Sequence, residues 1–214
     1  MRKIEQAAKN IETEIEVDKL IVGDLKAWFD EYCNSFFSQD ADLKRNISLK
    51  WEHTIKVCEE IDTGGGELGL EEKALALAEI IALFHDVGRF EQYRQYRTFV
   101  DGKSVNHAEF GVKILRKKHV LDGLHPQTRE LVLSVIACHN RAQISDIEDP
   151  VCLFFARLLR DADKLDIYRV VTDYYKESEG NKNTAIELGL PDAPEISHEV
   201  FRKTKLDCRV FIAF

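Results

Sequence analysis

Apolar residues recur along most of this chain at helical rather than alternating spacing. Stretches of about 10–36, 46–61, 70–87, 104–119, 126–140 and 150–176 carry them three, four and seven positions apart, and strand-like alternation is sparse. The expected fold class is therefore all-α. Breaks fall at "DTGGGELG" (62–69), "TFVDGKS" (98–104), "LDGLHP" (121–126) and "ISDIEDP" (144–150). The glycine triplet Gly64, Gly65 and Gly66 has no preceding strand and no following Gly-Lys-Ser/Thr, so it reads as a plain loop and not as a phosphate cradle.

The 70–87 stretch is the most informative. Ala74, Ala78, Ile81 and His85 share one face, while Leu77, Ile80, Leu83 and Phe84 make the rest of the cylinder apolar. A helix apolar all round is a central one. It ends in "AEIIALFHDVGRF", where His85 and Asp86 stand side by side. A buried carboxylate without a partner is costly, so both residues need company.

Other helices supply it. On 150–176, Asp163 shares a stripe with Ala156, Leu159, Ile167 and Val170, whereas Asp161 points roughly 160° away at about 100° per residue. His139 follows Val132, Val135 and Ile136, and His107 precedes Gly111, Ile114 and Leu115. His53, in "LKWEHTIKVCEEI", lies at the edge of an apolar arc of Trp51, Ile55 and Cys58. One inward histidine is usually a hydrogen-bonded core residue. Several helices aiming imidazoles and carboxylates into one core require a cation to neutralise them, as in metal-binding bundles. Nitrogen and oxygen donors without thiolate suit a divalent transition metal such as Mn, Fe, Co, Ni or Zn.

Composition narrows the setting. At 214 residues, 44% hydrophobic and 32% charged, the chain has the make-up of a globular domain, and it contains no run of about 18 apolar residues to span a membrane. The N-terminus carries acidic residues where a secretory signal has its apolar core. Five cysteines without a C-x-x-C pair suit free thiols in a reducing compartment, so a cytoplasmic location is expected. A net charge of −8 argues against a nucleic-acid polymer as partner but leaves room for a small anionic, phosphate-containing substrate. Arg89, Arg94 and Arg97 in "GRFEQYRQYRTF", and Lys164 beside Asp163, are the candidate substrate-binding cations, with a solvated face as the alternative reading.

At His53, His85–Asp86 and Asp163 the chain resembles the HD-domain metal-dependent phosphohydrolases, whose pattern is an early histidine, an adjacent His-Asp pair and a later aspartate, often in Ala-Asp-x-Leu. The resemblance covers roughly 46–176 and implies an HD-domain helical bundle with its metal site in the core. An N-terminal helical extension (1–45) and a C-terminal tail (177–214) would flank it. The apolar end of that tail, "DCRVFIAF", is expected to dock on the same domain or on a second copy in a homodimer, unless the chain was cut from something longer.

By the same resemblance His53, His85, Asp86 and Asp163 are the metal ligands. His107 ("NHAEFG") and His139 ("ACHN") stand where two-metal members carry extra histidines, and Asn140 stands where many of those have one more. The number of ions is therefore open, one or two, with one tightly held ion and a weaker second site favoured. The implied activity is hydrolysis of a phosphomonoester or phosphodiester, in a nucleotide or another small phosphate ester, by metal-activated water. Asp86, His107 and His139 would take the catalytic roles. A di-iron oxygenase and a non-catalytic nucleotide-sensing module are the alternatives.

Overall fold

The computed structural model describes residues 17, 19–177 and 184–187. The described elements are α1 (Lys19–Asn34), α2 (Ala41–Glu67), α3 (Glu72–Phe84), α4 (Val87–Tyr96), a 3-10 turn (Asp101–Lys103), α5 (His107–Lys117), α6 (Pro126–Cys138), α7 (Pro150–Glu177) and the short α8 (Thr184–Glu187). No strand occurs among the described residues, and the chain is a helical bundle. None of its described helices is long and apolar enough to cross a membrane.

As its all-round apolar surface requires, α3 is the central helix, packed against α1, α2, α6 and α7. Leu77, Ala78, Ile80, Ile81, Ala82 and Phe84 are fully buried. Burial of each such large aliphatic or aromatic side chain contributes about 1.5–3 kcal/mol. α1 adds Phe29, which meets Phe84 and Phe90 edge-on at 6.3 and 5.7 Å, so this helix shares the common core. The division expected after residue 45 falls inside α2.

Three expectations about elements are corrected. The glycine triplet is helical, because α2 continues to Glu67 and the expected 62–69 loop shrinks to its last residues. A Cβ on Gly65 would come within 2.6 Å of Leu75 Cδ2, so this glycine lets α2 press against the start of α3. Just past its end the chain turns away at Gly69, whose φ of +72° suits glycine, with Leu70 N–H donating to Gly65 O at 3.0 Å. Second, the helix expected over 70–87 is shorter, since α3 ends at Phe84 with His85 as its C-cap, and a separate helix, α4, begins at Val87. Third, the buried face of α2 is Leu43, Asn46, Ile47, His53, Thr54, Val57 and Ile61, while Trp51 is exposed. His53 thus belongs to the inward face, as its outermost member, and the arc of Trp51, Ile55 and Cys58 lies outside that face.

The turn at His85 and Asp86 brings α4 against α5. Gly88 and Gly111 make the crossing close: a Cβ on Gly88 would overlap the backbone carbonyl of His107 and lie 2.7 Å from Gly111 N. That approach carries the start of α5 up to Asp86. The expected helix at 10–36 is seen as α1, its first residues lying outside those described. Most of the 177–214 tail, with its expected docking, also lies outside them; α8 is held to α7 by Tyr174 Oη donating to Glu187 Oε1 at 2.8 Å.

Candidate metal centre

Six side chains, three on α2, α5 and α7 and three in the turns after α3 and α6, converge in the core. The ligand atoms of His53 (α2), His85 (after α3) and Asp163 (α7) lie within 4.8 Å of one another, as do those of Asp86, His107 (α5) and His139 (after α6). Asp86 joins the two groups. Its Oδ2 lies 3.7 Å from both His53 Nε2 and His85 Nε2, and its Oδ1 lies 3.3 Å from His107 Nε2 and 3.8 Å from His139 Nε2. Each carboxylate oxygen therefore faces a different pocket. Asp163 Oδ1 closes the first pocket, 3.1 Å from His53 Nε2 and 3.7 Å from His85 Nε2. In the second, His107 Nε2 and His139 Nε2 are 3.1 Å apart.

The outer nitrogen of every ring shows why these Nε2 atoms are turned inward. His85 Nδ1 lies 2.7 Å from Ala82 O and His139 Nδ1 2.7 Å from Ile136 O. A carbonyl only accepts, so both rings carry their proton on Nδ1 and direct the Nε2 lone pair to the centre. His53 Nδ1 meets Asp166 Oδ2 at 2.6 Å, and His107 Nδ1 meets Asp101 Oδ2 at 2.7 Å. This is how proteins orient imidazoles that ligate a metal. Buried His53 Nε2 and His85 Nε2 have no hydrogen-bond partner. Inward imidazole nitrogens beside carboxylates in a buried core fit a divalent cation in each pocket.

The electrostatics agree with that fit. Burial pushes the Asp86 carboxyl up, but Lys50, His85 and Arg89 outweigh it and hold Asp86 well below the usual carboxylate range. Burial likewise opposes ionised Asp163, but the nearby His53 and His85 rings bring it far down. Burial, helped by Arg89, pushes His107 down to about 3 despite Asp101, so its ring is neutral near pH 7. Burial and Lys50 also work against protonated His53, yet Asp163 and Asp166 raise it overall. Ligation at His53 would then release a proton.

The helix-phase distinction on α7 is seen directly, since Asp163 points into the centre while Asp161 is exposed. The four proposed substrate-binding cations are not brought together. Arg89 is buried, and its Nη1 donates to Gln92 Oε1 (3.0 Å), Asp101 Oδ1 (3.0 Å) and Phe99 O, with its Nε 3.5 Å from Asp86 Oδ1. It braces the centre from behind. Arg94 and Arg97 are exposed and pair with Glu91 (2.5 Å) and Asp40 (2.8 Å), and Lys164 is exposed beside Asp163. The cation that does reach the centre is Lys50, whose Nζ lies 2.8 Å from Asp86 Oδ2 with its side chain 16% exposed.

Lys50, Asp101 and Asp166 were not singled out from the sequence. Lys50 precedes His53 by three positions and Asp166 follows Asp163 by three, so helical spacing alone puts each on the same face as one of the convergent residues. Asp101 sits in a 3-10 turn and carries no periodic signal.

The family model for the HD domain matches residues 51–168, more than half of the chain, and the protein belongs to that family. No curated protein and no solved structure matches it. All six convergent side chains lie inside the matched span.

Proposed function

We propose that the protein is a metal-dependent phosphohydrolase acting on a nucleotide or another small phosphate ester. The observation that carries this reading is Asp86, whose two oxygens face two separate histidine pockets in one core. Bound divalent ions would supply water of lowered pKa and a Lewis acid for a phosphoryl oxygen. His53, His85 and Asp163 would hold one ion, His107 and His139 a second, with Asp86 shared between them.

The remaining work falls to Lys50. Its ammonium stands at the partly exposed edge of the centre, within reach of Asp86, where an anionic substrate would enter. With Asp86 committed to holding a metal, Lys50 would be free to bind and orient a phosphate oxygen, as a mobile point charge does well. A cation at this place also favours an anionic substrate over dioxygen, which sets the phosphohydrolase reading ahead of a di-iron oxygenase. The test is hydrolysis by Mn2+-loaded protein across nucleoside monophosphates, cyclic nucleotides and simple phosphomonoesters. Turnover lost in Asp86→Ala supports the proposal; no turnover of any phosphate ester, with oxygen consumed by the iron-loaded protein, would overturn it.

A further inference from the structure

The two pockets are supported differently, and the difference centres on Asp101. In the first pocket Asp166 holds one ligand, His53. In the second, a single carboxylate gathers several of the side chains around the ligands. Asp101 accepts from His107 Nδ1 (2.7 Å to Oδ2, 2.9 Å to Oδ1), Arg89 Nη1 (3.0 Å), Gln92 Nε2 (3.0 Å) and Asn140 Nδ2 (3.1 Å). Arg89 in turn flanks Asp86, and Asn140 directly follows His139.

Asn140 also donates to Asn106 Oδ1 at 2.9 Å. Asn106 caps α5, its side chain accepting from Ala108 N and Glu109 N, and thereby fixes the helix that begins with His107. Asn140 therefore turns toward Asp101 and the α5 cap. One carboxylate registers α4, the start of α5 and the end of α6 against one another, and these segments carry every ligand of the second pocket.

We infer that Asp101 is a positioning residue that assembles the Asp86–His107–His139 pocket selectively, so that occupancy of this pocket depends on Asp101 while occupancy of the His53–His85–Asp163 pocket does not. The inference rests on the metal-centre reading proposed above. An amide at this position would turn a donor toward groups that are themselves donors, His107 Nδ1–H, Arg89 or Asn140, and would leave at least one unpaired. Loss of such an outer partner typically weakens metal affinity about 10–100-fold.

The experiment is Mn2+ binding by equilibrium dialysis, with turnover playing no part, on wild type, Asp101→Asn, Asn140→Ala, His107→Ala and the Asp101→Asn/His107→Ala pair. Circular dichroism of the metal-free proteins accompanies it. Wild type is expected to bind about two ions. Asp101→Asn should weaken one site about 10–100-fold and leave the other within about two-fold of wild type. Asn140→Ala, a milder change at a half-buried residue, should weaken the same site less, so the proposal stands or falls even if Asp101→Asn folds poorly. Asp101→Asn should add nothing to His107→Ala. Equal weakening of both sites, two unchanged sites, or additive loss in the paired variant would overturn the inference while leaving the metal centre standing. A wild type that binds fewer than two ions would overturn it together with the two-pocket reading.

Discussion

Two of the six convergent side chains sit in the middle of long helices and four at helix ends, and the two groups are built on different physics. His53 and Asp163 project from the interiors of α2 and α7, helices of 27 and 28 residues. Their directions follow from helix phase, which many apolar contacts along each helix fix together, so no one contact decides where they point. His85 and Asp86 occupy the break between α3 and α4, His107 is the first residue of α5, and His139 follows the last residue of α6. These depend on a few local devices: the Gly88–Gly111 crossing, the Asn106 cap and the carboxylate of Asp101. The mid-helix part should therefore be robust to its surroundings and the helix-end part sensitive to them.

The sharpest contrast within the mid-helix part is Asp163→Ala against Asp161→Ala. Removing an inward ligand should lower Mn2+ affinity by more than the roughly 100-fold seen for outer partners, while the exposed neighbour two positions away should change nothing measurable. Equal losses in dialysis would break the helix-phase argument.

For the helix-end part, Gly88→Ala forces a methyl group against the backbone of α5. Such overpacking costs about 1–3 kcal/mol, read as a lower melting temperature, and it should disturb the Asp86–His107–His139 pocket. Gly64→Ala is the control: it lies in the last turn of α2 with its nearest neighbour 3.9 Å away, and the better helix former should leave stability unchanged or raise it by up to about 1 kcal/mol. A melting temperature unchanged in Gly88→Ala would remove the close crossing from the account.

Lys50→Ala should leave metal binding intact and raise KM for a phosphate ester. A hydrogen bond to a charged group contributes about 1.5–3 kcal/mol, which is about ten-fold or more in kcat/KM. An unchanged KM would return the anion-binding role to another cation.

The same division explains what could be read beforehand. The central α3, the inward phase of Asp163 and the convergence of histidines on one core were legible because a buried helix repeats its signal over several turns. α4 was missed because "VGRFEQYRQY" mixes buried Phe90, Tyr93, Gln92 and Arg89 with exposed charges, so its buried face is partly polar and gives no clean apolar stripe. The arginines read as phosphate ligands owe their actual places to tertiary partners. Arg89 is drawn inward by Asp101 and a carbonyl, and Arg97 has a φ of 54° at the end of α4, turned toward Asp40. The glycine triplet misled because glycine marks close packing as well as turns, and only the Leu75 contact at Gly65 tells the two apart.

The smallest expected effect is a difference in pH response between the two kinds of position in metal-free protein. His107 has a folded pKa of about 3, below an unfolded value of about 6.5. The unfolded chain then binds more protons between these values, so this contribution is present above about pH 6.5 and is lost as pH falls toward 3. His53 is raised in the folded state, so its contribution is present below about pH 6.5 and is lost as pH rises through the raised value. His107→Gln should flatten the acid limb of stability against pH, and His53→Gln the neutral-to-alkaline limb. Identical profiles for the two variants would contradict the opposite shifts.

The central claim, that Asp86 serves both pockets at once, is tested most directly by the Mn2+ stoichiometry of Asp86→Ala set beside wild type at the same free metal concentration, with helical content checked by circular dichroism. The account predicts about two ions for wild type and a marked loss of affinity at both sites in the variant, with the helical signal retained because the apolar core is untouched. A folded Asp86→Ala protein that keeps either site at wild-type affinity would contradict it.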